Sequence, residues 1–247
     1  MLKRVIDLFS SAFGLLLVAP VMLPIMLLIW LQDRHSPFYV ADRAGFRGKN
    51  FRMVKLRSMV INVDKSGVDS TSANDRRISG VGRFIWRFKL DELSQLWNVI
   101  IGDMSLVGRR PNVASEVSWY TGEEMGLLEA KPGITDISSI VFSDEGDILS
   151  DSEDPGLDYN RLIRPCKSRR GLLYIKNQGF LLDISLIALT TLGIVSKRRA
   201  LRALSSILQL LDAPDELIVI AARETELYPH VPPGATRPVV ADDLGGG

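Results

Sequence analysis

Residues 8–31 read LFSSAFGLLLVAPVMLPIMLLIWL, and from Leu8 to Leu31 no side chain carries a charge. As a helix this segment is long enough for a bilayer core, which takes roughly 20 apolar residues. Pro20 and Pro24 fall near its middle. Each lacks a backbone donor and crowds the preceding turn, so a sharp kink is expected. Both flanks are basic, with Lys3 and Arg4 before the segment and Arg34, Arg43, Arg47 and Lys49 after it. Positive flanks stay on the cytoplasmic side, and a straight span cannot keep both there. A helix broken at Pro20 can, by entering and leaving one leaflet, provided the freed backbone groups find partners. The physics leaves that hairpin and an ordinary kinked span both open. A cleaved signal peptide fits less well, because the apolar run is too long and no A-x-A site follows it. On either reading the segment anchors the chain to a membrane.

The rest of the composition narrows the field. The chain has 247 residues, 46% of them hydrophobic, and a formal net charge of +1. That length suits one or two domains, and the net charge names no partner, so any basic surface comes from local clustering. One cysteine, Cys166, excludes an internal disulfide and fits a reducing compartment. His35 and His230 lie far apart and form no His-rich metal site. A divalent ion held by carboxylates remains open.

Past the apolar segment, residues 38–61 read as short strands, with Phe51, Met53 and Leu56 on an extended piece and turns at Gly45 and Gly48. Arg43, Arg47, Lys49, Arg52, Lys55 and Arg57 follow one another without an acid. Such a run serves either as a solvated or headgroup-facing surface or as a phosphate site, since a strand points alternate cations at one ligand. A polar loop is expected over 62–80, then a second basic run of Arg76, Arg77, Arg83, Arg87 and Lys89. These cations lead into KLDELSQLWNVIIGDMSLVGRRP, Lys89 to Pro111, where Asp91 and Glu92 stand side by side. Leu93, Leu96, Trp97 and Ile100 have helical spacing and predict a buried face. The two acids would occupy the first turn, where they could simply complement the helix dipole.

Further along, a helix is expected over Val113–Leu128, a turn at Lys131–Thr135 and an acidic loop at SDEGDILSDSEDPG. Ile184–Ser196 is uncharged and too short to span, which fits a buried or interfacial helix. The basic residues that follow it, Lys197, Arg198, Arg199 and Arg202, favour anionic headgroups. ELIVIAAR reads as a strand and HVPPGATRPVVADDLGGG as disordered. No G-x-G-x-x-G or Walker motif occurs, so nucleotide binding would not be Rossmann-like.

Taken in order, KRVID, the proline-broken helix, FRMVKLRSM, LDELSQLWNVIIGDMSLVG, RRP and PGIT resemble the bacterial sugar transferases that act as monotopic polyprenyl-phosphate phosphoglycosyl transferases. The resemblance runs from about Lys3 to Ser196. It implies a helix-dominated α/β or α+β fold. Residues 1–36 would be a re-entrant membrane helix hairpin, 37–202 a cytoplasmic, membrane-associated catalytic domain with interfacial amphipathic helices, and 203–247 a partly disordered extension. The location it implies is the cytoplasmic face of the bacterial inner membrane. The implied reaction moves a phosphosugar from a UDP-sugar to polyprenyl phosphate and releases UMP, initiating a membrane-linked glycan of exopolysaccharide or O-antigen type. The family's catalytic Asp-Glu pair falls on Asp91 and Glu92. Asp91 would be the nucleophile, forming an aspartyl-phosphosugar, and Glu92 its partner as Mg²⁺ ligand or proton carrier; the metal site is assigned to the same two carboxylates.

Lys55, Arg57, Arg83, Arg87 and Arg110 are the candidate phosphate- and nucleotide-binding cations. A carboxylate attacking a diphosphate meets like charge, so cations must neutralise the phosphates first. Membrane phospholipids are implied partners, and nucleic acid is not, because the basic runs come with no recognition fold.

The chain departs from the family pattern in four places. Ala19 stands where a serine commonly precedes the proline, and Trp86 where a basic residue precedes the Asp by five positions. Lys89 replaces a small hydroxyl, and Arg109 replaces the first proline of a Pro-Arg-Pro corner. Arg87 or Lys89 is expected to supply the cation missing at Trp86. The competing reading is a non-catalytic membrane-bound scaffold of a glycan-assembly system, whose acid pair only caps a helix.

Overall fold

The computed structural model describes residues 2–61 and 77–244. The polar loop expected over 62–80, and Arg76 with it, lies largely outside the described residues. Among the described residues the fold is helix-dominated, with two short two-stranded sheets.

The apolar segment forms α1 (Leu2–Asp33), a single helix of 32 residues with Pro20 and Pro24 inside it. The expected break at Pro20 does not divide it into two helices. A proline forfeits one helical hydrogen bond and clashes locally, yet the helix continues where the bonds on either side hold. Most of the apolar side chains of α1 stay uncovered, Phe9, Phe13, Leu16, Leu17 and Leu23 among them. Met22, Ile25 and Ile29 form the exception, packing on Leu56 and Ile85.

Strands β1 (Phe38–Ala44) and β2 (Asn50–Leu56) pair antiparallel, Ala41 opposite Met53. As expected, Phe51, Met53 and Leu56 lie on an extended strand, and all three are buried there; Gly48 takes a left-handed φ of 73° in the connection. Helix α2 (Gly80–Arg87), capped by the Ser79 hydroxyl, leads to a 3-10 turn over Leu90–Gln95 and then to α3 (Leu96–Ile101). The buried face of α3 is Leu96, Asn98 and Val99, whereas Trp97 is 52% exposed. Asn98 decides that rotation. Its Oδ1 accepts from Val54 N at 2.9 Å and its Nδ2 donates to Arg52 O at 2.7 Å, which pins the helix to β2.

Strand β3 (Ser105–Val107) runs parallel to β4 (Gly133–Thr135), so the expected Lys131–Thr135 turn contains a strand. Gly108 and Gly133 make this possible: a Cβ on Gly133 would lie 2.1 Å from Gly108 N. Two backbones meet there, and any side chain would force them apart. The helix expected over Val113–Leu128 is instead α4 (Ala114–Val117) and a separate 3-10 turn, Glu124–Glu129. Ser118 closes the first piece, and the Thr121 hydroxyl accepts from Glu124 N at 3.1 Å at the start of the second.

The C-terminal half is a helical layer. Helix α5 (Ile137–Val141) has an Asp136 capping box, and the acidic stretch folds into α6 (Glu145–Ile148) and α7 (Pro155–Asp158). Helices α8 (Arg164–Asn177), α9 (Phe180–Val195) and α10 (Lys197–Leu210) follow. Leu182, Leu186 and Leu189 of α9 face the core while Leu181, Ile184 and Ile194 stay exposed, which fits an interfacial helix. The boundary drawn at residue 202 falls inside α10, and one core joins Ile137, Val141 and Leu186 to Leu204 and Leu208 across it.

ELIVIAAR is not a strand. It lies in α11 (Asp215–Ala222), because Leu217, Ile220 and Ala221 at helical spacing bury against the core and two acids open its first turn. The segment expected to be disordered is packed in part over its described residues, 230–244, and its last three residues lie outside them. His230 is buried, and its N–H donates to Arg161 O at 2.9 Å before the chain reaches the short α12 (Ala241–Leu244).

Candidate active site

Three elements converge on the acid pair. Lys89, at a left-handed φ of 52°, turns the chain out of α2 so that Asp91 and Glu92 open the 3-10 turn beneath β2. Ser94 holds that turn in place, its hydroxyl donating to Asp91 O at 2.9 Å and to Val54 O at 3.1 Å. Asp91 is 8% exposed.

Each acid faces a different cation. Lys55 of β2 brings Nζ to 3.8 Å from Asp91 Oδ2, and Arg110 Nη1 donates to Glu92 Oε1 at 2.7 Å. Burial pushes the Asp91 carboxyl above the usual aspartate range, with Lys55 pulling it back. Burial also opposes ionisation of Glu92, but Arg110, Lys55 and Lys89 outweigh it and leave that carboxyl below its ordinary value. The two neighbours are thereby separated in acidity. Lys55 is itself shifted down, first by burial and then by Arg110. Glu92 drives the Arg110 guanidinium further up, so it remains a cation.

Arg110 owes its position to the glycine contact. Gly108 N donates to Thr135 O at 3.0 Å and Gly133 N to Arg109 O at 2.8 Å, locking the RRP corner onto the PGIT strand. Arg109 is 3% exposed and bonds only backbone: Nε to Leu127 O at 2.7 Å, and Nη2 to Ala44 O at 3.1 Å. In place of a proline, this chain uses a buried arginine to clasp the corner to β1 and to the 3-10 turn at residues 124–129.

The remaining expected cations divide. Lys89 donates to Ser143 O at 3.2 Å and is among the charges that lower Glu92. Arg83 and Arg87 are exposed on α2, Arg87 with its guanidinium 5.9 Å from the Phe88 ring centroid. Arg57 is drawn away into a bidentate pair with Asp33, at 2.6 and 2.7 Å.

A hard cation that completes its shell with water and substrate phosphates needs only one or two protein carboxylates. Asp91 and Glu92 supply that number, and among the described residues no group of three or more His, Cys, Asp or Glu side chains is placed to hold a metal.

Sequence reasoning did not locate the ties that seat α1 on this site. Lys3 Nζ pairs with Asp183 at 2.5 Å, and Asp7 accepts from the Ser105 hydroxyl at 2.8 Å. Charges bracketing an apolar run were a visible signal, but their partners lie about 100 or more residues away in sequence. Nor did it locate a polar cleft on the far side of Arg110, lined by Asn112, Tyr120, Tyr159 and Arg164.

Comparison with known proteins gives a consistent picture. The chain is 32% identical over 212 residues to a UDP-galactose-lipid carrier transferase of Erwinia amylovora, covering 80% of this chain and 41% of that protein. It is 32% identical over 200 residues to a UDP-glucose:undecaprenyl-phosphate glucose-1-phosphate transferase of Klebsiella pneumoniae, covering 79% and 40%. It is 34% identical over 155 residues to the exopolysaccharide production protein ExoY of Rhizobium meliloti (strain 1021), covering 57% and 69%. The chain thus spans about two fifths of the length of the first two relatives. A family model described as bacterial sugar transferase matches residues 1–197, taking in α1, the acid pair, both arginines of the corner and β4, and the chain belongs to that family.

Proposed function

We propose that the chain transfers a phosphosugar from a UDP-sugar to polyprenyl phosphate, releasing UMP and starting a membrane-linked glycan. The observation that carries this reading is an adjacent carboxylate pair, Asp91 buried and Glu92 half-buried, with a separate cation opposite each member. Asp91 Oδ attacks the sugar-bearing phosphorus, the bond from that phosphorus to the UMP oxygen breaks, and UMP leaves. The acceptor's phosphate oxygen then attacks the same phosphorus and displaces the Asp91 carboxylate. Dividing the transfer lets two bulky substrates use one site in turn. Lys55 and Arg110 neutralise the phosphates, and Arg110 holds Glu92 ionised beside the nucleophile. Mg²⁺, carried by Asp91 and Glu92 together with substrate phosphates, would supply further charge neutralisation when bound.

The same reading places α1 in one leaflet at the cytoplasmic face of the inner membrane, with phospholipid around its exposed apolar side chains. Its support is that both ends of α1 are bonded to the same folded body, Lys3 to Asp183 and Asp33 to Arg57. A straight helix of this length would reach about 48 Å, enough to carry one end across the bilayer and away from that body.

The test is UMP release by nanodisc-purified protein given polyprenyl phosphate, Mg²⁺ and a panel of UDP-sugars. Acceptor-dependent release that drops by at least about a thousandfold in Asp91→Asn is expected, because a lost nucleophile costs several kcal/mol of barrier. Unchanged release in Asp91→Asn would remove the nucleophile assignment. Silence across the panel from folded, membrane-bound protein would favour the scaffold.

A further inference from the structure

The charged side chains of α1 sit at its ends, with Lys3, Arg4 and Asp7 in the first two turns and Asp33 at the last position. Lys3 and Asp7, four residues apart, share one helical face. That face lies on β3. Asp7 is buried, and its Oδ2 accepts from the Ser105 hydroxyl at 2.8 Å while its Oδ1 accepts from Leu106 N at 3.2 Å. Lys3 Nζ donates to Val107 O at 3.2 Å. All three residues of β3 are thus bonded to the start of α1.

Arg4 reaches the other half of the site. Its Nη2 donates to Ile100 O at 2.7 Å and its Nη1 to Val99 O, which puts a cation on the last turn of α3, where the helix dipole favours one. Helix α3 continues directly from the 3-10 turn that opens with Asp91 and Glu92. Strand β3 is followed at once by Gly108, Arg109 and Arg110. One short stretch of α1 therefore grips both the element that follows the acids and the strand that leads to their arginine. Arg110 and Glu92 meet at 2.7 Å across that join.

We propose that the first two turns of α1 position Arg110 against Glu92, with Asp7 as the principal positioning residue, so that transfer runs at full rate only while α1 is seated. The inference rests on the transferase reading above. Asp7 touches neither acid nor Arg110; it acts through Ser105 and Leu106 on the strand that ends beside the RRP corner. Such an anchor matters because a misplacement of about 1 Å at a reacting group can cost about a hundredfold in rate.

The test is UMP release by the full chain in nanodiscs, followed across pH, with the melting temperature measured alongside. Asp7→Ala removes both acceptors and should lower kcat by about tenfold or more. Asp7→Asn keeps an oxygen for Leu106 N and offers an amide to the Ser105 hydroxyl, so it should restore most of the rate. Arg110 draws both carboxyls down, helped by Lys55 on both and by Lys89 on Glu92. Once Arg110 is displaced both carboxyls rise, and the acid limb of kcat/KM should move upward in Asp7→Ala as it does in Arg110→Gln. Adding Asp7→Ala to Arg110→Gln should cost less than about twofold more, because the two residues act in series. Where Asp7→Ala does not fold, Ser105→Ala removes one of the two bonds and is read by the same criteria. An acid limb that stays put overturns the proposal whatever happens to the melting temperature, since Asp7 would then serve stability alone. Full additivity with Arg110→Gln overturns it as well. Wild type that releases no UMP would remove the transferase reading itself, and this inference with it.

Discussion

Lys55 stands 3.8 Å from Asp91, too far for a hydrogen bond but near enough to set how a nucleophile titrates. Burial raises the Asp91 carboxyl and Lys55 opposes the rise. The attacking form is the carboxylate, so activity is full above the Asp91 pKa and is lost as pH falls through it. Removing the cation in Lys55→Met should therefore move the acid limb of kcat/KM for UMP release upward, by about one pH unit. A limb that stays put would show that Lys55 does not act on Asp91. Arg109 predicts a different signature. Its guanidinium bonds only carbonyls, so Arg109→Ala strands buried acceptors and should cost about 3 kcal/mol in denaturant unfolding. Unaltered stability would contradict the clasp. Both residues are visible in the sequence, where Lys55 stood among the candidate phosphate cations, but its place opposite Asp91 was not readable there. Arg109 stood out as a departure, and its purpose emerged only when Leu127 and Ala44 were seen to meet around it.

At the scale of elements, the periodic patterns were right where one face is buried against a continuous surface and wrong where a polar anchor intervened. The β1–β2 pair and α9 follow their patterns. Helix α3 does not, since the Asn98 amide fixes its rotation through β2 and leaves Trp97 outside. The Ile-Val-Ile run in α11 has strand propensity, but packing on a helical layer overrides it. Helix α1 carries the prediction at this scale. With both ends tied to one body, cysteines placed at Leu2 and at His35 should each react with a membrane-impermeant thiol reagent only from the cytoplasmic side. Pro20→Leu, which restores the missing donor and removes the clash with the preceding turn, should stiffen the helix and pull one end off its partner. Labelling at Leu2 should then appear on the outer side, or the melting temperature should fall by several degrees. Labelling of the two ends on opposite sides in the unaltered protein would mean that α1 spans.

Across the whole molecule, α10 and α11 belong to the core rather than to an appendage. Ala200, Leu204 and Leu208 are fully buried beside Leu186 and Val141. A chain ended at Ser196 would expose that cluster, and losing several buried leucines exceeds the stability of a typical domain. It should aggregate or unfold, as thermal melting and gel filtration would show; a cooperative melt near that of the full chain would mean that the core closes without α10. The sequence by itself determined the membrane anchor, the helical character, the acid pair and the family, because composition, charge and local motif order are properties of contiguous residues. Tertiary structure alone decided which cation faces which acid, that Arg57 turns to Asp33, that both ends of α1 return to one body, and that the tail bonds to Thr121 through Pro233 O. Those facts rest on contacts between residues far apart in the chain, and a hydrogen bond spanning 112 positions leaves no local trace in the order of the residues it joins.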